Sequence, residues 1–278
     1  MLAKKIIQKV HKVFHPVVGE IWCLHRVTPN RSLYPSNREL EITPEYLEKL
    51  ICDYKSQGYS FENIDAIVSS LARRKARKQV NISFDDGFAD IYTYAFPIFK
   101  KYNIPFTIYL TTDMPDGKAD LWWIQLEHYC SEDVEMFESI MRQCYDSREP
   151  MADVMHRLTT SSPQTELSRE FSLTWNQINE MVASGLCTLG SHTLSHPGLT
   201  RIPKEQMRKE LEESRKNILQ RFPLLSVNHF SYPHSMHDPN IRDSVAACGY
   251  QSAVLGYGGS IHYGGNNYML YRNYIVQK

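Results

Sequence analysis

The sequence predicts an α/β fold, a distorted (β/α) barrel of the TIM type with about seven strands and a helical and loop insertion, and three observations predict it. Short apolar runs rich in β-branched and aromatic residues alternate with amphipathic helical patterns along most of the chain. Parallel strands need a helix-sized crossover, so this alternation implies a parallel sheet. Histidines and aspartates recur where the strand runs end, the edge at which barrel loops converge on one mouth. An open doubly wound sheet is the other architecture that such alternation allows.

Taken in order, residues 1–14 read MLAKKIIQKVHKVF. Leu2, Ile6, Ile7, Val10, Val13 and Phe14 fall at helical spacing, with Lys4, Lys5, Lys9 and Lys12 between them. An amphipathic helix is expected within 1–19, ahead of a single domain over 20–278. Its stripe fits either against the domain or on an anionic membrane surface as a peripheral contact. No uninterrupted apolar core or small-residue cleavage site follows, so the stretch does not read as a secretory signal.

Strands are expected at 20–25, 80–84, 105–110, 186–190, 227–231, 251–254 and 271–276, and helices at 44–57, 88–102, 175–184, 204–221 and 240–248. Thr43 stands as an N-cap before Pro44, and Gly58, Gly185 and Gly249 sit where helices should stop. The rhythm breaks between about 113 and 174, where no strand signal occurs. This is read as an insertion, helical in its first half with a loop around SSPQT. The glycine-rich GYGGSIHYGGNNY lacks the ending of a phosphate loop and reads as a flexible loop beside a site.

Composition narrows the function. The 278 residues carry 31 Lys+Arg and 31 Asp+Glu, so no basic face is available for nucleic acid. With 42% hydrophobic and 22% charged residues the chain reads as globular. Six cysteines without C-x-x-C spacing read as buried thiols; with no export pattern, a reducing compartment is expected, most simply the cytoplasm, peripheral to the inner membrane face if the first helix binds lipid.

Placing polar residues on the strand map gives a cluster. Asp85 and Asp86 follow VNISF; His192 and His196 follow LCTLG; Tyr232, Pro233 and His234 follow VNHFS; His25 ends EIWCL. Four separate segments delivering His or Asp to one rim are hard to explain as packing. Two histidines four apart, with a carboxylate from another strand, make a catalytic metal set with open positions. Adjacent aspartates point different ways, so one can bind metal while the other serves as base, and Gly87 permits a tight turn into the following helix. Alone, Asp85-Asp86-Gly87 reads first as a helix-capping turn, and it is the conjunction with SHTLSHP that points to a site.

ISFDDG followed by SHTLSHPGL resembles the first two motifs of the polysaccharide deacetylase family, the NodB-homology or carbohydrate esterase family 4 domain, written T-F-D-D-G and H-[ST]-x-x-H-P. The lead-in WNQINEMVASGL, FSYPH in place of the third motif, and CLHRV, which resembles the branch acting on bacterial surface and biofilm glycans, extend the match over most of the chain. The resemblance implies a distorted barrel and a divalent metal, commonly zinc, with cobalt, nickel, manganese or iron as alternatives. It implies Asp86, His192 and His196 as ligands, Asp85 as general base, and the backbone N–H of His234 in the oxyanion hole.

Two departures stand out. The family's third motif carries an Arg where this chain has Ser231, and its C-terminal L-x-H has no counterpart in MLYRNYIV. Arg272 is expected either to fix Asp85 in its ionised form, similar to the R-[IV]-x-V pattern of related deacetylases, or to be a surface Arg on an edge strand. His25, then His262, then His237 are the candidates for general acid. Trp122, Trp123 and Trp175 are candidates for stacking on a sugar, and Tyr232, Pro233 and His262 are further candidates for substrate contact. The expected activity is removal of an N-acetyl, less readily an O-acetyl, group from a nucleotide-, lipid- or polymer-linked sugar. A carbohydrate-binding scaffold on the same barrel, or a non-haem iron enzyme with the same ligand set, are the competing readings. Six of 17 tyrosines fall in the last 29 residues and point to substrate contacts there.

Overall fold

The computed structural model describes residues 16–73 and 75–278. Seven parallel strands close into a barrel: β1 (Val17–Leu24), β2 (Gln79–Phe84), β3 (Phe106–Leu110), β4 (Cys187–Ser191), β5 (His229–Ser231), β6 (Ser252–Gly258) and β7 (Leu270–Tyr274). Each pairs with the next, and β1 closes the ring by pairing with both β2 and β7. β1 to β5 are buried almost throughout on both faces, which is why they read as continuous apolar runs, whereas the end of β6 and part of β7 are exposed. All seven expected strands are present, shifted by a few residues at their ends.

Thr43 caps the helix Pro44–Ser56 by accepting from the Tyr46 N–H, and Gly58, Gly185 and Gly249 follow helix ends with positive φ. Lys204–Arg221 has the expected bounds. The expected helix from residue 88 starts late: Phe88 bridges to Ser172, and the Ala89 N–H donates to the Phe171 carbonyl, which pins the chain to the insertion first. Residues 91–95 then form a π turn ahead of Pro97, whose missing N–H breaks the ordinary ladder, before Phe96–Tyr102 continues as α-helix.

The helix Ile64–Ser70 was not anticipated. Its Ile64 and Ile67, with Leu71, pack on Val18, Ile21, Tyr109 and Val254 and fill the N-terminal end of the barrel. The insertion is helical in both halves, with helices Trp122–Cys130, Val134–Asp146, Met151–Thr159 and Thr165–Phe171 around their own core after an irregular 113–121; of the expected loop only 160–164 is one. Residues 17–19, assigned above to the N-terminal segment, begin β1. The amphipathic helix and its membrane contact lie outside the described residues, and no described helix is long and apolar enough to cross a membrane.

The glycine-rich segment does not sit at the mouth as one loop. Gly258 and Gly259, at φ 115° and 104°, turn the chain back from β6, and Ile261–His262 runs antiparallel to the start of β1, with His262 opposite Val17. At the end of β2, Asp86 and Gly87 take φ values of 71° and 114°, and a Cβ on Gly87 would stand 2.6 Å from Leu110 Cδ1. Gly87→Ala therefore meets both strain and a clash, and should destabilise the fold by about 1–3 kcal/mol. Thermal unfolding checks this; an unchanged midpoint would show that the turn tolerates a side chain.

Candidate active site

The tops of β2 and β4 supply a compact donor set. Asp86 Oδ1 lies 3.2 Å from His196 Nε2 and 3.5 Å from His192 Nε2. His192 Nδ1 donates to the Ser231 carbonyl at 2.8 Å, so its Nε2 presents a lone pair to Asp86. Asp86 Oδ1 is buried and has no hydrogen-bond partner, and His196 Nδ1 is likewise unpartnered. Burial lowers the pKa of both imidazoles and keeps them neutral, the form that ligates a metal. Burial, and then the neighbouring Asp85 charge, push Asp86 well above the usual carboxylate range. An oxygen left without a donor between two neutral imidazole nitrogens suits a divalent cation, whose bonds of about 2.0–2.2 Å fit these separations.

The loop that carries the histidines is held in shape. Thr193 and His196 take left-handed backbone angles, φ 71° and 66°, and Thr193 Oγ1 accepts from the His196 N–H at 3.0 Å. Buried Glu210, on the helix Lys204–Arg221, accepts from the Leu194 and Ser195 N–H groups at 2.9 Å each and from Ser195 Oγ at 2.7 Å. Thus one carboxylate satisfies the backbone between the two histidines.

Asp85 points the other way. Arg272, 1% exposed and on a strand with neighbours on both sides, sends Nη1 to Asp85 Oδ1 at 2.8 Å and Nη2 to Oδ2 at 2.5 Å. Nη2 also reaches Ser231 Oγ, which itself donates to Asp85 Oδ2 at 3.1 Å. Burial alone would raise the Asp85 pKa, but the Arg272 charge, with His192 and the Arg272 hydrogen bonds, outweighs it and holds the carboxyl well below its ordinary range. The edge-strand reading of Arg272 does not survive. Its guanidinium stands where Ser231 leaves room.

A cavity of about 500 Å³ lies over these groups. His25, Asp85, Asp86, Trp122, His192, His196, Tyr232, His234 and Arg272 line it; Pro233 and His262 do not. Pro233 is buried in the turn behind the wall. His262 is at the opposite end of β1, because the glycines return the chain downward. His25 has an unpartnered Nδ1, and burial pushes its pKa down to about 4, so it is neutral at pH 7. His234, with φ 54°, puts its ring 4.6 Å from that of His196. Trp123 packs on His196, whereas Trp175 donates to Asp116 and lies under Arg221, a packing role; His237 packs on Tyr232. Of the six late tyrosines, Tyr257 and Tyr274 reach the cavity.

Three participants escaped the sequence reading. Tyr145 comes from the insertion and its hydroxyl lies 3.3 Å from His234 Nδ1. Cys23 lies 4.0 Å from Asp85 and forms, with His25 and Asp85, a second close group of metal-type donors. Glu210 looks like any helix-surface Glu in a charged run, and no local signal marks it.

The polysaccharide deacetylase family model matches residues 72–253. The chain belongs to this family. Family members are carbohydrate deacetylases, hydrolases by class. The Bacillus subtilis (strain 168) protein YxkH is 21% identical over 245 residues, which is 87% of this chain and 66% of that protein's length. Among solved structures, IcaB from Ammonifex degensii superposes with a TM-score of 0.64 at 20% identity, covering 92% of this chain and 91% of that one. The Streptococcus pyogenes deacetylase PplD gives 0.66 at 18%, covering 92% of each. Both likenesses concern the fold of this deacetylase-family chain.

Metal titration tests the donor set. Asp86→Ala should abolish binding of one divalent ion per chain and Asp85→Asn should retain it. Glu210→Ala should weaken affinity by about 10–100-fold through disorder of the histidine loop. Calorimetry with Zn²⁺ checks all three, and equal affinity of Asp86→Ala and the parent would displace the site from these residues.

Proposed function

We propose that this chain hydrolyses the acetyl group of an N-acetylated sugar, using a divalent cation held by Asp86, His192 and His196. The observation that carries the reading is the pairing of an unpartnered Asp86 oxygen, aimed at two imidazoles, with an adjacent Asp85 committed to Arg272. Two neutral imidazoles and one carboxylate suit zinc, with cobalt, nickel, manganese and iron as alternatives. Such a cation supplies Lewis acidity toward a carbonyl oxygen and toward water.

The residues do the rest. Asp85, kept anionic by Arg272, accepts a proton from the attacking water. It retains acceptor capacity because each carboxylate oxygen has two lone pairs. His25, grouped with Asp85 at the rim, takes up that proton and passes it to the departing nitrogen, which is why the reading favours an amide over an ester. The N–H of His234 offers the developing oxyanion a donor at the turn beyond β5. Trp122 and Tyr232 supply apolar wall; the Tyr232 hydroxyl is already committed to the Tyr268 carbonyl. The result is a free amine and acetate. An ionised base beside the donor set favours this over a binding scaffold or an iron oxygenase, neither of which needs one.

Acetate release from nucleotide-linked, lipid-linked and oligomeric N-acetylated sugars is the test. Asp85→Asn should lose at least about 100-fold in turnover, and His25→Ala should fall by a similar factor with metal content unchanged. Bound metal without acetate from any of these sugars would move the assignment to a binding protein.

A further inference from the structure

Resting on that reading, we infer that the site takes the terminal residue of a glycan, or a single sugar on a non-glycan carrier, and excludes residues inside a polymer. The inference comes from how the mouth is walled. The segment after β1 and the insertion after β3 both rise over the rim, and between them β2 ends in only the Asp85–Gly87 turn.

These two parts are joined to each other. Ser36 donates its N–H at 2.9 Å and its hydroxyl at 2.5 Å to Glu138. Ser32 Oγ and Asn37 Nδ2 donate to Glu127 at 2.6 and 2.7 Å. Tyr34 stacks on Phe137 with centroids 4.2 Å apart, and its hydroxyl accepts from the Glu132 N–H at 2.8 Å. Behind them Arg26 ties Glu41 to Asp90 through bonds of 2.8 and 2.7 Å. Asn37, Leu40, Trp123, Met141 and Tyr145, on the joined segments, line the cavity. The wall is therefore continuous from the β1 side round to the insertion.

On the other side the connections are short. β5 ends in the tight 233–235 turn and β6 in the glycine reversal, while Gln277, after β7, accepts from Arg31 Nη2 at 2.8 Å and from the Thr43 N–H at 2.7 Å, which joins it to the segment after β1. Tyr257 and Tyr274 line the cavity there and are 57% and 36% exposed. A polymer crossing a site needs an exit at both ends of its path. Here the arc from the chain after β7 through the segment after β1 to the insertion is closed by hydrogen bonds, and exposed Tyr257 marks the gap, so the acetylated sugar enters foremost and the remainder leaves over Tyr257 and Tyr274. Their rings offer flat faces to the next group.

The test is product mapping on the metal-loaded full chain. The probes are tetramers of β-1,4- and β-1,6-linked N-acetylglucosamine and of α-1,4-linked N-acetylgalactosamine, with the matching methyl glycosides, and products are sequenced by mass spectrometry. Loss of one acetyl group per chain, from a terminal residue, with turnover of a methyl glycoside, is expected. Loss from internal residues of any tetramer would overturn the chain-end inference while leaving the deacetylase reading intact. No acetate from any of these probes or from the nucleotide- and lipid-linked sugars above would overturn the deacetylase reading, and this inference with it.

Discussion

The buried Arg272–Asp85 pair is the constraint on which the rest of the site depends. All five guanidinium N–H groups find acceptors: Leu255 carbonyl, Ser83 Oγ, Ser231 Oγ and both oxygens of Asp85. Those contacts tie β2, β5, β6 and β7 together across the barrel interior. Burying a charge is tolerable only when partners replace the lost water, and removing one member of such a pair typically costs about 3–5 kcal/mol. A small hydroxyl at Ser231 and a long cation from β7 are two halves of one solution.

That pair also separates two adjacent carboxylates. Asp85 and Asp86 share nearly the same dry environment, yet one is held ionised by a dedicated cation and the other is left facing two neutral imidazoles. The left-handed turn at Asp86 and Gly87 sends the side chains apart. Divergent fates for neighbouring acids are what acid–base division of labour requires. The Glu210 contacts do the equivalent work on the histidine side, fixing a loop that has no regular secondary structure of its own.

Most of the barrel was legible because most of its strands are buried on both faces and announce themselves as short apolar runs, with caps at Thr43 and Gly58 to mark the boundaries. Asp85, Asp86, His192 and His196 were legible as a group because each follows a strand. What was not legible depends on return paths and on long-range pairing. His262 sits in a glycine-rich segment that resembles a mouth loop, but Gly258 and Gly259 reverse the chain toward the start of β1. Arg272 has no local sign that distinguishes a buried counter-ion from a surface charge; only closure of the barrel by β7 decides it. Tyr145 and the stapling of Ser36 to Glu138 join residues roughly one hundred positions apart, beyond any periodicity. The helix Thr165–Phe171 was hidden by a Ser/Thr/Pro-rich approach that reads as a loop.

The central claim is the division of roles between Asp86 as ligand and Asp85 as base. Anomalous scattering from crystals of the zinc-loaded protein tests it most directly. The account predicts one ion within about 2.0–2.2 Å of Asp86 Oδ1, His192 Nε2 and His196 Nε2, with Asp85 still bound to Arg272. An ion seated instead between Cys23, His25 and Asp85, with the Arg272 pair broken, would contradict it.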